Sequence, residues 1–348
     1  MKAIVQYSAR PTDDPQSLVD VDLPDPTPGD LDLLVEIEAV SINPADARVR
    51  MRKTDDGTAS ILGYDVAGRV RAVGNAVTGF SPGDRVWYAG DISRPGANAE
   101  LHLVDHRIAA GRPASLTPTE AAAMPLTLLT AWELLFDKMG FAPDQPRPGE
   151  SVLIVNGAGG AGSMMIQIAR LVPDLTVIAT ASRPETKAWC ETMGAHHVIN
   201  HREDMADEIS ALGFESVDHI ILLSAPDTHF STAARIIAPF GAIGCIVPFD
   251  NPPDLNLIMR KSVSFHWEFM FARPAMSGTA PTRQGEILRL ASDLVQSGRL
   301  RSTLTRTLSP LSGATVRTAH QLIESGQTIG KIAITANSAN QENNNDQP

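Results

Sequence analysis

Apolar and polar positions along the chain follow two rhythms, and the change comes near Ser151. Before it, short strand-like runs at 2–6, 33–40, 68–73 and 84–88 are broken by Pro- and Gly-rich turns at 24–29, 79–83 and 90–96. That pattern predicts an irregular, mostly β domain over 1–125. Thr117-Pro-Thr-Glu120 has capping-box spacing, and the apolar-dominated stretch 121–136 behind it is expected to be a helix leading into a second domain, 126–271. From Ser151 strands and helices alternate, with candidate strands at 151–156, 176–181, 196–199, 217–223, 241–247 and 263–269. Six strands with helices between them predict an α/β doubly wound parallel sheet. After Phe271 the alternation stops. A helix at 283–297 and strands at 304–308 and 331–335 are expected to return to the first domain over 272–336, and the polar, Asn-rich tail 337–348 is expected to be disordered. There are no internal repeats.

The most informative local feature is Ser151-Val-Leu-Ile-Val-Asn-Gly-Ala-Gly-Gly-Ala-Gly-Ser163, a buried-type strand running into Gly157-x-Gly159-x-x-Gly162 and then into an amphipathic stretch. Gly157 permits a tight turn, Gly159 offers no side chain to block a pyrophosphate, and Gly162 lets the helix lie close on the strand. Free N–H groups at the helix start, around Gly160 and Ala161, would face the phosphates. The next strand, 176–181, arrives on schedule, with the residues that read the ribose expected just after it.

Length and charge narrow the partners. With 348 residues, two domains with substantial cores are expected. Lys plus Arg number 29 against 40 Asp plus Glu, a net charge of −11 with no basic block, which argues against nucleic acid and anionic membrane as partners. Cys190 and Cys245 are the only cysteines, and no secretory leader or long apolar span is visible, so a cytoplasmic location is expected.

Several separated motifs agree in order and spacing: Asn43-Pro-Ala-Asp46, Leu62-Gly-Tyr-Asp-Val-Ala-Gly68, the run from Val73 to Val86, Gly96-Ala-Asn-Ala-Glu100, Ala121-Ala-Ala-Met-Pro125, the glycine loop, and Gly330-Lys-Ile332. Together they resemble the medium-chain dehydrogenase/reductase superfamily over nearly the whole chain, most closely its quinone-oxidoreductase branch and the group called zinc-type alcohol-dehydrogenase-like. The resemblance implies a Rossmann domain inserted in a GroES-like catalytic domain, with substrate held in the cleft between them. It also implies a homodimer, because the sixth strand often pairs across a two-fold axis in the superfamily.

The zinc of that group is not expected here. Where zinc alcohol dehydrogenases carry a Cys and a His–Glu pair, this chain has Asn43 and Tyr64-Asp65, and the stretch after Tyr88 lacks the four Cys of the structural zinc lobe. None of the histidines, His102, His106, His196, His197 and His201 included, shows metal-ligand spacing.

An NAD-specific site usually places an acid after the second strand, where it would repel a 2′-phosphate. This chain reads Ser182-Arg-Pro-Glu-Thr-Lys187, in which Arg183 and Lys187 are placed to clamp a phosphate and Ser182 to donate to it. NADPH is therefore the expected cofactor; the open alternatives are a solvated cationic loop and Glu185 as a displaced ribose acceptor. By position in the family, the resemblance also assigns cofactor contacts to Thr130, Asn200, Ser224, Ala225, Val247 and Lys331.

Without a metal, oxidation of simple alcohols loses its main electrostatic help, whereas an electron-poor acceptor needs less. The expected substrate is a small quinone or α,β-unsaturated carbonyl. Asn43 and Tyr64, which lie near the nicotinamide in the family, are expected to donate to its oxygen, and Arg48 to orient it. Asp46 and Asp65 are expected to organise the site. Trp132, Phe249, Trp267, Phe269 and Phe271 either line a pocket or belong to a core or dimer-edge strand. An enoyl-thioester reductase, a zinc alcohol dehydrogenase and a non-catalytic cofactor-binding protein are the alternatives.

Overall fold

The computed structural model describes residues 1–276 and 282–336; the tail expected to be disordered lies outside the described residues. The chain forms two compact units, one of Met1–Leu126 with Phe271–Pro348 and the other of Thr127–Met270.

The first unit contains β1 (Lys2–Gln6), β2 (Val19–Asp22), β3 (Asp32–Ile42), β4 (Ser60–Ile61), β5 (Asp65–Val73), β6 (Arg85–Ala89), β7 (Leu101–Asp105) and β8 (Ala110–Gly111). Six strands of the second unit follow, and the chain then returns to the first with β15 (Leu304–Leu308) and β16 (Lys331–Thr335). A three-stranded sheet runs β2-β1-β4, and a seven-stranded sheet runs β15-β16-β3-β5-β6-β8 with β7 also paired to β3. Strand β3 shows why the sheet forms: Leu33, Val35, Ile37 and Ala39 point inward and are buried, while Glu36 faces solvent. Pairing of β16 with β3 sets Ile332 opposite Ile42. Strands β2, β4 and β8 were not legible in the sequence, because two of them span two residues each and Val19-Asp-Val-Asp22 carries only two apolar side chains; β7, Leu101–Asp105, was also not among the expected strands.

The apolar stretch 121–136 is not one helix. Thr117 caps a short helix, Pro118–Ala122, through its hydroxyl, and the Glu120 carboxylate reaches back to the Thr117 N–H at 2.9 Å. A second helix, Pro125–Trp132, begins at a proline, whose missing N–H is tolerated only in a first turn, and continues as a π-helical turn, Glu133–Lys138.

The second unit is a six-stranded parallel sheet in the order β11-β10-β9-β12-β13-β14. Its strands are β9 (Ser151–Val155), β10 (Thr176–Thr180), β11 (His197–Ile199), β12 (Val217–Leu222), β13 (Ile237–Cys245) and β14 (Ser264–Trp267). Each falls where an apolar run predicts it, although β13 starts four residues early, directly after the helix Pro226–Ile236. Every residue of β9 is buried, as expected of a central strand covered on both faces. Strand order reverses between β9 and β12, and in open α/β sheets the ligand crevice lies outside the carboxyl ends of the strands at such a point.

Candidate active site

The glycines after β9 separate by what demands them. A Cβ on Gly162 would lie 2.4 Å from the Asn156 carbonyl oxygen and 2.6 Å from the Gly157 Cα, and one on Gly157 would lie 2.8 Å from the Ala179 Cβ. Packing therefore requires glycine at both positions. At Gly159 the nearest atom would be 3.6 Å away, an ordinary contact, so nothing in the protein excludes a side chain there. Gly159 is also the N-cap of the helix Gly160–Ala169 and supplies no side-chain cap. The N–H groups of Gly160, Ala161 and Gly162 are thus left at an uncapped, positive helix end, which suits an anionic ligand.

The other expected cofactor residues of this unit follow the carboxyl ends of neighbouring parallel strands: Ser182, Arg183 and Lys187 after β10, Asn200 after β11, Ser224 and Ala225 after β12, and Val247 after β13. Lys187 is exposed. Arg183 caps the helix Pro184–Met193 with its backbone, and its Nε donates to Glu185 at 2.6 Å. Its own backbone N–H and the Arg183 guanidinium hold the Glu185 carboxyl below its usual range. Ala225 adopts a left-handed conformation at the start of its helix, Val247 is buried, and the Asn200 side chain accepts from the Arg202 N–H at 3.1 Å. Thr130 is buried in the helix Pro125–Trp132. The sequence presents His201 only as a histidine without metal-ligand spacing, but in the fold its Nδ1 lies 2.9 Å from the Thr180 hydroxyl oxygen, which also accepts the Asn156 N–H at 2.9 Å. The His201 ring contacts that of His229 edge-on, at 6.1 Å between centroids. No local pattern announces this pair, because one ring comes from the turn after β11 and the other from the first turn of the helix Pro226–Ile236.

The first unit holds a second cluster. Asn43 precedes the helix Pro44–Met51, and the Asp46 carboxylate accepts from the Asn43 N–H at 2.7 Å and from the Gly63 N–H at 3.1 Å. Burial pushes the Asp46 carboxyl up to about 7, against the opposing pull of the Asn43 N–H and the Lys331 charge. Asp65 accepts the Leu126 N–H at 2.7 Å and the Asn43 amide at 2.8 Å. Tyr64 lies between these two anchored residues, is 3% exposed, and packs edge-on against Phe271 at 4.8 Å. Among the described residues its hydroxyl makes no hydrogen bond. Burial, reinforced by the charges of Asp46 and Asp91, raises the phenol well above its ordinary value, so it remains an O–H donor.

Two expectations for this unit change. Asn43 does not offer its amide outward, because Nδ2 donates to Asp65 and Oδ1 accepts from Lys331. Lys331 is not a free cation for a cofactor: its ammonium donates to the Ile42 carbonyl at 3.1 Å, to Asn43 Oδ1 and to Asp65 Oδ2 at 2.9 Å, which accounts for all three of its N–H groups. Arg48 is exposed on the helix that buries Asp46, Ala47 and Arg50. Of the aromatic residues, Phe249 and Phe265 pack on the core of the second unit, while Trp267 and Phe269 remain about half exposed.

This donor set does not suit zinc. Among the described residues no group of three or more His, Cys, Asp or Glu side chains could hold a metal ion. The carboxylate oxygens of Asp46 and Asp65 already accept N–H donors, and Asn43 and Tyr64 supply neither thiolate nor imidazole.

Comparison with known proteins matches two segments of the chain. Residues 29–110 match the alcohol dehydrogenase GroES-like domain, and 193–334 match the family described as zinc-binding dehydrogenase. A zinc-type alcohol dehydrogenase-like protein of Staphylococcus aureus is 42% identical over 89% of this chain and 92% of its own length. The NADPH-dependent alkenal/one oxidoreductase of Arabidopsis thaliana is 25% identical over 87% of this chain and 71% of its own length. Among solved structures, a putative zinc-dependent alcohol dehydrogenase from Rhizobium etli is 47% identical with a TM-score of 0.92, covering 97% of this chain and 98% of its own. The quinone oxidoreductase of Coxiella burnetii is 28% identical with a TM-score of 0.81, covering 97% and 99%. With a parallel Rossmann sheet inserted in a mostly β GroES-like unit, the chain belongs to the medium-chain dehydrogenase/reductase superfamily as an oxidoreductase of the zinc-type alcohol dehydrogenase-like group.

Proposed function

We propose that the protein is an NADPH-dependent, zinc-independent reductase of quinones or α,β-unsaturated carbonyls. The observation that carries this reading is the Tyr64 hydroxyl, a phenol donor on a buried residue with no acceptor among the described residues, set between residues that are both fixed by carboxylates. The bound cofactor would supply hydride. As hydride reaches the electron-poor carbon or the quinone oxygen, charge develops on the acceptor oxygen, and a preorganised O–H aimed at it stabilises the enolate or phenolate. A phenol whose ionisation is disfavoured holds its proton and donates a hydrogen bond, so the proton that completes the reaction comes from solvent. Asn43 and Asp65 act on Tyr64 by fixing the chain around it.

The uncapped helix end at Gly160 would receive the cofactor diphosphate, and Arg183, with Ser182 and Lys187, would meet the 2′-phosphate. Solvent screens an ion pair to an exposed carboxylate, so Glu185 is readily exchanged for a phosphate. The alkenal/one oxidoreductase and quinone oxidoreductase relatives support the same acceptor class. Free, buried Cys190 and Cys245 suit a reducing cytoplasm, and among the described residues no helix is long and apolar enough to cross a membrane. Strand β14 ends the parallel sheet with Trp267 48% exposed, and we assign this edge to a homodimer.

The test is NADPH oxidation over a panel of quinones, enals, enones and enoyl thioesters, set beside NADP⁺ reduction by primary alcohols. Turnover of quinones or enones with little alcohol oxidation is expected. Rapid ethanol oxidation with no quinone or enone turnover would reject the reading, and preference for enoyl thioesters would move the substrate class. Light scattering across a range of concentrations tests the dimer.

A further inference from the structure

The Lys331 ammonium sits in a sealed triangle. It donates to Asp65 Oδ2 and to Asn43 Oδ1, and Asn43 Nδ2 closes the figure by donating to the same Asp65 oxygen at 2.8 Å. The Lys331 side chain is 3% exposed and that of Asp65 is 0% exposed. A carboxylate buried this deeply needs a cation or several donors, and here it has both. The triangle also fixes the Asn43 amide, because a flipped amide would set its NH₂ against the ammonium. Asp65 is thereby clamped on one side of Tyr64, while Asp46 clamps Gly63 on the other.

We infer that Lys331 is the resident cation of this site: its ammonium takes the electrostatic place that a divalent metal would need against Asp65, excludes the metal from it, and positions Tyr64 through Asn43 and Asp65. Lys331 is thus a positioning residue belonging to the first unit. A metal ion would have to displace an ammonium whose three N–H groups are all satisfied, and it would find only one carboxylate and one amide oxygen in return. The catalytic part of the inference rests on the proposed function; the metal and cofactor parts do not.

The test uses the purified full chain and the variants Lys331→Gln, Asp65→Asn and the double variant. Wild-type protein dialysed against zinc and then desalted is expected to retain well under one zinc per chain by elemental analysis. Lys331→Gln is expected to bind NADPH within about twofold of wild type, since all three N–H groups of the ammonium are already committed to Ile42, Asn43 and Asp65, and to melt several degrees lower because Asp65 loses its partner. Joining two neutral amides in the double variant should recover at least about half of that loss in melting temperature, as coupled neighbours do. Below the melting range, Lys331→Gln should lower kcat about tenfold or more with the acceptor KM within about threefold, the split expected of a donor displaced in the transition state. Stoichiometric zinc in the wild type would overturn the inference. So would NADPH binding weakened tenfold or more in Lys331→Gln with kcat retained, which would make the residue a cofactor contact. If Lys331→Gln does not fold, the wild-type zinc measurement and the double variant decide: a folded double variant supports the pair, and a double variant that also fails to fold counts against it. Should the wild type reduce no acceptor, the proposed function falls while the zinc, NADPH and melting results still judge Lys331.

Discussion

The Tyr64 ring meets the Phe271 ring edge-on, with centroids 4.8 Å apart and planes at 64°. The ring of Tyr64 is therefore held by packing independently of its hydroxyl, which allows the hydroxyl to be removed by itself. Tyr64→Phe should keep the edge contact and leave the melting temperature nearly unchanged, while kcat for quinone or enone reduction falls on the order of 10² with little change in KM. Near wild-type turnover in this variant would show that Tyr64 only packs.

The two kinds of glycine in the loop after β9 should respond differently to alanine. At Gly159 a methyl group meets only ordinary contacts, so Gly159→Ala should fold with wild-type stability but bind NADPH and NADH more weakly, both to a similar extent. Gly162→Ala drives a Cβ to 2.4 Å from a backbone oxygen and should lower the melting temperature sharply. Melting curves and fluorescence titration with each nucleotide separate the two effects. An unaltered affinity for both nucleotides in Gly159→Ala would argue that no diphosphate lies at this helix end.

Cofactor choice should rest on Arg183. Charge-assisted hydrogen bonds contribute about 1.5–3 kcal/mol, and release from Glu185 draws on that gain, so Arg183→Ala should weaken NADPH roughly tenfold while sparing NADH. Glu185→Gln should leave NADPH binding unchanged or tighter. Equal losses for the two nucleotides, or tighter NADH binding by the wild type, would refute the NADPH assignment.

Two buried imidazoles should set the acid limb of stability. Burial pushes His102 down to about 4 and His320 down to about 3, the latter with the Arg50 charge adding to the effect. The Pro95 carbonyl can only accept, so His102 Nε2 carries the proton and Nδ1 accepts the Tyr88 hydroxyl at 2.9 Å; among the described residues neither His320 nitrogen has a protein partner. Both rings fold neutral, and the unfolded chain protonates them below about 6.5, so their contribution is full above that pH and is lost as pH falls toward 4. Asp46 acts with the opposite sign: its carboxyl is raised to about 7, so its contribution is present below about 4 and is lost as pH rises through 7. Between about 4 and 6.5, unfolding then takes up two protons at the histidines against one released at Asp46, and stability should fall on acidification. Urea midpoints from pH 4.5 to 8 should show this slope, and His320→Leu should flatten it. A variant curve parallel to that of the wild type would remove His320 from the account.

Strands β9 to β14 and the glycine loop were legible in the sequence because their signals are local. A strand buried on both faces reads as an unbroken apolar run, and a strand–glycine–helix turn places its demanding residues within a dozen positions of one another. The long helix Thr282–Gln296 and the strands β15 and β16 were legible for the same reason. The GroES-like half was less so, since its two-residue strands exist only through their partners. The roles of Asn43 and Lys331 could not be read at all. They are 288 positions apart, and only the antiparallel pairing of β16 with β3, with Ile332 opposite Ile42, brings ammonium, amide and Asp65 together. Family position suggested that Lys331 contacts a cofactor; sheet register turned its charge inward, against a buried carboxylate that would otherwise lack a counter-charge.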